Sequence, residues 1–414
     1  MPAFVPKIEN PELFFGFVAP IGVDITTNIS SFKHNLELIG YIPIEIKVTD
    51  VFRAISKYIP PIESLQKTPE FKRYESYISY GNQLRKCFND DAALAVLSIA
   101  RIMRERARAT KRRKIDQYSK IAFLIHQFKR KEEIDLFRSV YGLQFFQISI
   151  YSRRGSRVDS LAAKFANTDN SPHRSEYREA AERLVQIDYN EQKNTHGQKI
   201  VKIFHDADFI LNADVKIPTV DQQITRFINI IFGSNKISPT KIEYGMFVAK
   251  AAALRTLDLS RQVGAAIFSK DGEVITLGSN EVPKAGGGTY WCDDPFDDRE
   301  YVLKHDSNER RKNEILSELF NLIGRPNLRN NPKITESQFM DALEYGRIVH
   351  AEMSAISDAA RLGRSIKDSV LFCTTFPCHM CAKHIVAAGV SSVFFLEPYP
   401  KSLVGDLHND SIAV

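Results

Sequence analysis

His350-Ala351-Glu352 and, further on, Pro377-Cys378-His379-Met380-Cys381 are the two stretches from which the rest of the chain is read. They bring one imidazole, two thiols and a carboxylate. Imidazole and thiolate are donor types that zinc takes. Three protein ligands, His350, Cys378 and Cys381, leave the fourth tetrahedral position open, as in a catalytic rather than a structural zinc. One zinc ion per chain is therefore expected. Glu352 is then available as a proton carrier. Thiols at i and i+3 fall on one helix face, and a helix N-terminus stabilises thiolate charge. The competing reading is a closed site with a fourth ligand from Cys292, Cys373 or His379. It gives Glu352 and Pro377 no role.

The flanking sequence places these residues in an α/β unit. Residues 242–257 are alanine-rich and suit a helix. Residues 263–268 and 274–277 read as short strands joined by a turn at Lys270-Asp271-Gly272. A polar insertion follows from Lys284 to about Met340. It holds the run Gly286-Gly287-Gly288, an acidic stretch over 293–300 and a helical segment over 311–322. Residues 350–362 then read as a helix, 370–374 as a strand, 378–388 as a helix and 393–396 as a strand. Both ligand groups thus start helices.

The N-terminal half reads as a second α/β unit, with strands at 14–18, 121–125, 145–151 and 204–211 and helices at 25–38 and 132–141. Strand–helix–strand order predicts a parallel sheet. The boundary is expected near Asn235, giving domains 1–235 and 236–414. The first strand runs into Ala19-Pro20-Ile21-Gly22-Val23-Asp24, the position of a phosphate-binding loop. The pattern G-x-x-x-x-G-K-[ST] would need glycine at Phe17, lysine at Val23 and Ser or Thr at Asp24; only Gly22 matches. Phosphoryl transfer is not expected from such a loop. A nucleotide-binding or regulatory domain and a purely structural one both remain open. The candidate nucleotide contacts are Gly22, Asp24, and Arg153, Arg154 and Arg157 around Gly155, which resemble a phosphate clamp.

Composition narrows the class. Of 414 residues, 43% are hydrophobic and 26% charged, as in ordinary globular proteins. No apolar run reaches the ~18 residues of a membrane helix, and Met1 to Lys7 lack the layout of a signal peptide, so a cytoplasmic location with no membrane contact is expected. Five cysteines, three of them scattered, argue against a disulfide framework. The net charge of +6 is modest, but Arg101, Arg104, Arg106, Arg108, Lys111, Arg112, Arg113 and Lys114 are opposed only by Glu105. This cluster is either a phosphate- or RNA-binding patch or a solvated helix face.

The chain resembles the bacterial antiviral cytidine deaminases that fuse a P-loop-kinase-like domain to a deoxycytidylate deaminase domain. In the C-terminal half the resemblance rests on residues 260–266, on Ser279-Asn280-Glu281-Val282-Pro283-Lys284 with the glycine run and Tyr290-Trp291, on His350-Ala351-Glu352-Met353, on Pro377-Cys378-His379-Met380-Cys381 and on Tyr399-Pro400-Lys401-Ser402. In the N-terminal half it rests on residues 15–24 and 151–158, His196-Gly197-Gln198 and residues 204–208. It implies an α/β fold with an N-terminal parallel-sheet domain like a P-loop kinase and a C-terminal α/β/α domain of the cytidine deaminase kind. It also implies zinc, free dCTP and dCMP as substrates, loss of dCTP during phage infection, a homo-oligomer, and in some members restraint by a small RNA. Such chains often run well past the last motif. This one ends at Val414, so weaker oligomer contacts or a reduced pocket are expected.

The resemblance implies that Asn280 reaches the deoxyribose; the other reading is a turn asparagine. From their chemistry, Lys284 and the glycine amides form a phosphate nest or the glycines only make the loop flexible, and Trp291 closes over base or sugar or is a packing residue. Ala351 and Thr375, beside the metal ligands, complete the substrate set. Three other readings compete. A polynucleotide cytosine deaminase needs a basic, aromatic track, whereas this region carries Asp293, Asp294, Asp297 and Asp298. A non-catalytic zinc or RNA scaffold has no use for Glu352. A dCMP deaminase of pyrimidine nucleotide metabolism is the third alternative.

Overall fold

β1 (Leu13–Val18) reads Leu-Phe-Phe-Gly-Phe-Val and is buried on both faces, as the central strand of a parallel sheet must be. The computed structural model describes residues 10–113, 120–189, 191, 194–335, 337–399 and 402–413. Lys114, Pro400, Lys401 and residues 1–9 lie outside the described residues. The chain divides into two units, Met1–Ile237 and Ser238–Val414. Both are mixed α/β.

In the first unit, β1 leads to α1 (Ile25–Leu38), β2 (Ile42–Lys47), the short α2 (Phe52–Ile55), α3 (Glu70–Phe88), α4 (Ala93–Arg113) and β3 (Ile121–His126). Then come α5 (Lys131–Tyr141), β4 (Phe145–Tyr151), α6 (Arg154–Thr168), α7 (Arg178–Tyr189), β5 (Phe209–Asn212) and α8 (Ile217–Ile231). The strands are all parallel, in the order β2-β3-β1-β4-β5. Successive side chains of a strand point to opposite faces. Phe14 and Val18 accordingly pack with Tyr80, Leu84, Ile134 and Phe137. Phe15 and Phe17 pack with Ile29, Phe32, Ile224 and Phe227. Gly16 must be glycine, since a Cβ there would lie 2.6 Å from the rings of Phe128 and Phe145.

Several elements differ from the sequence expectation. Of residues 204–211, Phe204–Asp206 form a 3₁₀ turn and the strand is Phe209–Asn212. β2 was hidden by Pro43, which an edge strand tolerates. Arg154 and Arg157 are not loop residues but open α6. In the basic cluster, Arg101 pairs with Asp50 (3.0 Å) and Arg106 with Glu12 (2.8 Å). Arg104, Arg108, Lys111 and Arg112 are exposed. Among the described residues, no helix is long and apolar enough to cross a membrane.

The second unit runs α9 (Lys241–Ala252), β6 (Gly264–Phe268), β7 (Val274–Ser279), α10 (Glu300–Leu303), α11 (Ser307–Leu322), α12 (Pro332–Thr335), α13 (Ala351–Arg361), β8 (Val370–Thr375), α14 (His379–Ala387), β9 (Ser392–Glu397) and α15 (Val404–Leu407). The sheet order is β7-β6-β8-β9, with β6 antiparallel to both neighbours and β8 parallel to β9. α9 covers one face through Ala249, Ala266, Phe268 and Phe372. α13 and α14 cover the other through Ala265, Ile267, Ala351, Ala355 and Ile385.

Glu70 ties α3 to α6 by pairing with Arg73 (2.9 Å) and Lys164 (2.8 Å). The hydrogen bond from Arg73, opposed by burial, holds its carboxyl down at about 2. A carboxyl depressed on folding adds stability above its unfolded pKa of about 4.3, which is lost as the pH falls toward 2. Glu70→Gln is expected to melt below the parent at pH 7, the gap closing between about pH 4 and 2. Melting curves across that range check it.

Candidate active site

The metal-ligand types of the sequence meet where two helices begin. His350 is the N-cap of α13 and Cys378 the N-cap of α14. Cys378 Sγ accepts the Cys381 backbone N–H at 3.5 Å, so the thiol does what an N-cap oxygen usually does. β8 ends at Thr375 and delivers Pro377 and Cys378 directly to this point.

The resulting geometry suits one zinc ion. His350 Nδ1 lies 3.3 Å from both Cys378 Sγ and Cys381 Sγ. The three ligand atoms are all within 4.8 Å of one another. Tetrahedral zinc, at about 2.1 Å from nitrogen and 2.3 Å from sulfur, puts such atoms about 3.6 Å apart. Among the described residues this is the only His, Cys, Asp or Glu group that can hold a metal, and it includes no fourth protein ligand. The Cys373 thiol turns to the Thr375 carbonyl at 2.9 Å. Cys292 is exposed, and His305 faces the Leu303 carbonyl at 3.1 Å.

Glu352, in the first turn of α13, is 4% exposed. The Cys381 thiol points to its Oε2 at 3.6 Å. Burial pushes the Glu352 carboxyl above the ordinary range. The Cys378 thiol is held low, at about 4, by its hydrogen bonds with Cys381 and then His350. The Cys381 thiol is pushed up by its partner Cys378 and by burial. Hydrogen bonding to Cys378 in turn raises His350.

The remaining candidates are placed as follows. Ala351 is fully buried, and Thr375 closes β8. Asn280 Oδ1 accepts Val263 N–H at 2.6 Å, and its Nδ2 donates to Asp258 (2.8 Å) and the Arg261 carbonyl (2.7 Å). One lone pair of Oδ1 stays available for a further donor. Lys284 is paired with Asp294 at 2.8 Å. Gly286, Gly287 and Gly288 have φ of 89°, 100° and 75°, a succession only glycine adopts readily. The Gly287 amide is committed to the Lys284 carbonyl. Trp291 is about half exposed and lies under Arg255, whose guanidinium is 3.5 Å from the ring centroid. Arg255 also donates to Thr289 at 2.9 Å.

The nucleotide candidates of the first unit form a separate set. Asp24 caps α1 by accepting Thr27 N–H at 3.2 Å. Gly22, at φ +94°, packs on the Arg157 backbone. The Arg153 N–H goes to Asp214 at 2.7 Å. Arg154 is exposed, and the buried Arg157 Nη1 reaches the Ile21 carbonyl at 3.5 Å.

Sequence reasoning missed Arg255, Asp258 and the packing role of Gly278. A glycine inside a strand was the available signal, since it marks close backbone approach. A Cβ at Gly278 would lie 2.1 Å from the Ala351 carbonyl, and one at Gly264 2.0 Å from the Ala249 carbonyl. Gly278→Ala must therefore push the start of α13 away. It is expected to cost about 1–3 kcal/mol and to lower zinc content. Denaturant melts with metal analysis test this, and full zinc at parental stability would count against it.

Comparison with known proteins agrees with this geometry. The family described as the cytidine and deoxycytidylate deaminase zinc-binding region matches residues 239–397. The deoxycytidylate deaminase of Enterobacteria phage T4 is 34% identical over 149 residues, 35% of this chain and 72% of that protein. The human deoxycytidylate deaminase is 26% identical over 154 residues, 37% of this chain and 63% of that protein. A crystal structure of the dCMP deaminase of cyanophage S-TIM5 with dCMP and dUMP matches at 24% identity and a TM-score of 0.26, covering 42% of this chain and 93% of that one. Through its second unit, the chain belongs to the cytidine and deoxycytidylate deaminase family and is a zinc-dependent hydrolase of the nucleotide-deaminase type.

Proposed function

We propose that the second unit deaminates free deoxycytidine nucleotides, dCTP and dCMP, to the uracil nucleotides and ammonia. The observation that carries this is Glu352, a buried carboxyl beside a three-ligand metal group. A structural site has no need of it. His350, Cys378 and Cys381 are the residues that would hold the ion. Zinc, when bound, supplies the Lewis acidity that makes water a nucleophile at neutral pH.

Glu352 does the proton work. Its Oε2 takes the proton from water and gives it to N3 of cytosine, which makes C4 electrophilic. The water oxygen bonds to C4; Glu352 then takes the remaining proton from that hydroxyl and passes it to N4, and the C4–N4 bond breaks as C4=O forms and ammonia leaves. Burial suits it to this role, because a raised pKa makes the carboxyl a better proton acceptor. Asn280, through its remaining lone pair, orients the sugar. Ala351 and Thr375 line the base, and Trp291 covers it.

A free nucleotide is favoured over a polynucleotide by the loop that carries Trp291. It exposes Asp293 and Asp298, which repel a phosphodiester backbone. The name of the phage T4 relative supports dCMP. Extension to dCTP, and to defence against phage by loss of dCTP, rests on the resemblance of the whole two-unit chain to the antiviral fusion proteins. On the same ground, the first unit is a P-loop-kinase-like regulator that senses nucleotide or RNA, in a cytoplasmic homo-oligomer.

Glu352→Gln is expected to keep zinc and lose roughly 10²–10⁴-fold in turnover. Mass spectrometry of dCTP, dCMP, CTP, cytidine and a cytosine-containing single strand, alongside metal analysis, tests both parts. Deamination of the single strand alone would overturn the substrate class. A chain lacking residues 1–237 is expected to retain dCMP deamination and lose its response to infection. Unchanged basal activity with an unchanged phage response would remove the regulatory role.

A further inference from the structure

The loop after β1 lacks its lysine, yet a lysine is present there. Lys129 enters from the segment after β3. Its Nζ donates to the Ala19 carbonyl at 3.0 Å and to Asp188 Oδ1 at 2.6 Å. Asp188, in the last turn of α7, is 1% exposed. Its other oxygen, Oδ2, accepts the Ile21 backbone N–H at 2.6 Å. One carboxylate thus takes a loop amide and an ammonium at once, which are the two kinds of donor a phosphate takes from such a loop. Arg157 stands on the same loop, with Nη1 3.5 Å from the Ile21 carbonyl.

The position in the fold is also that of a ligand site. β1 sends its chain toward the β2 side of the sheet, and its neighbour β4 sends its chain toward β5. Ligands of open parallel sheets sit beyond the carboxyl ends of strands at such a reversal. The start of α1 takes no part, because Asp24 closes it.

Charge balance sets the direction of the inference. Lys129 is hydrogen-bonded to Asp188, and Arg157 lies within the field of Asp188 and of Asp214. The nearby Glu133 is already paired with Arg85 at 2.8 Å, and Asp214 is engaged by the Ser152 hydroxyl and the Arg153 N–H, each at 2.7 Å. Burial lowers the Lys129 pKa against the pull of Asp188, and burial likewise lowers Arg157. Asp188 is therefore the carboxylate that directly holds the loop's ammonium. A carboxylate in the last turn of a helix is itself disfavoured by the helix dipole, so the hold of Asp188 depends on these contacts.

We propose that the loop Ala19–Val23 with Lys129 and Arg157 is a latent polyphosphate site whose anion position is held by Asp188. A polyphosphate chain carries more charge than one carboxylate and takes the place of Asp188 when α7 releases it. Apparent affinity is then reduced by the fraction of molecules in which the carboxylate is withdrawn. The proposal rests on the reading of the first unit as a nucleotide sensor and is independent of the zinc site and of its substrate.

Calorimetry on the zinc-loaded two-unit chain tests it, with inorganic tripolyphosphate and MgATP as probes. Asp188→Asn is expected to bind tripolyphosphate at least about tenfold more tightly than the parent. Adding Lys129→Met should abolish that gain. Tighter binding of MgATP than of tripolyphosphate assigns the site to a nucleotide, and equal binding to the polyphosphate alone. A parent that binds as tightly as Asp188→Asn, or a folded Asp188→Asn with no gain, overturns the proposal. Hydrogen exchange on the parent gives a second measurement if that variant does not fold. Saturating tripolyphosphate should slow exchange in residues 19–24 and speed it in residues 185–189. No change in either segment overturns the proposal equally.

Discussion

The second unit depends on one constraint: α13 and α14 must begin within one metal ion's reach of each other. His350 and Cys378 are both caps, so the position of each ligand is fixed by where its helix starts rather than by a long side chain. That start is set by backbone contact. Gly278 of β7 lets α13 approach through the Ala351 carbonyl, and Gly264 of β6 lets α9 approach through Ala249 on the opposite face. The β6–β7 hairpin is thereby clamped between two helix backbones. Close-packed interiors transmit small displacements, so the ligand geometry is tied to the sheet.

Two contrasting kinds of buried carboxylate occur in this protein. Glu133 meets Arg85, and Glu12 meets Arg106, each at 2.8 Å. Taking charges out of water costs several kcal/mol per ion, and a good partner offsets it. Glu352 instead has the metal-ligand thiols and imidazole as neighbours. Burial raises its pKa, which suits a group that must take up a proton and pass it on.

Much of this was legible in the sequence, for identifiable reasons. The motif residues carry their chemistry and spacing together, and i, i+3 thiols at a predicted helix start need no tertiary information. β1 and β4 were readable because strands buried on both faces are continuous apolar runs. The edge strand β2 was not, because proline and half-exposure blur its pattern. Arg153, Arg154 and Arg157 read as loop residues because Gly155 suggests a turn, while the helix that follows is decided by Val158, Leu161 and Phe165 packing into the core. Lys129 and Asp188 lie far apart along the chain, and no local pattern joins them to a loop at residue 21. Likewise, the commitment of the Asn280 amide to Asp258 and Arg261 is a tertiary fact that its neighbours in sequence do not announce.

The stacking of Arg255 on Trp291 has a practical meaning of its own. The chain contains a single tryptophan, and it sits in the loop that follows the three glycines. Indole emission responds to the polarity and charge above its ring, and here a guanidinium supplies both. The protein's intrinsic tryptophan fluorescence therefore comes from one place, a natural optical probe mounted beside the glycine turn, with no label to attach and no second indole to subtract.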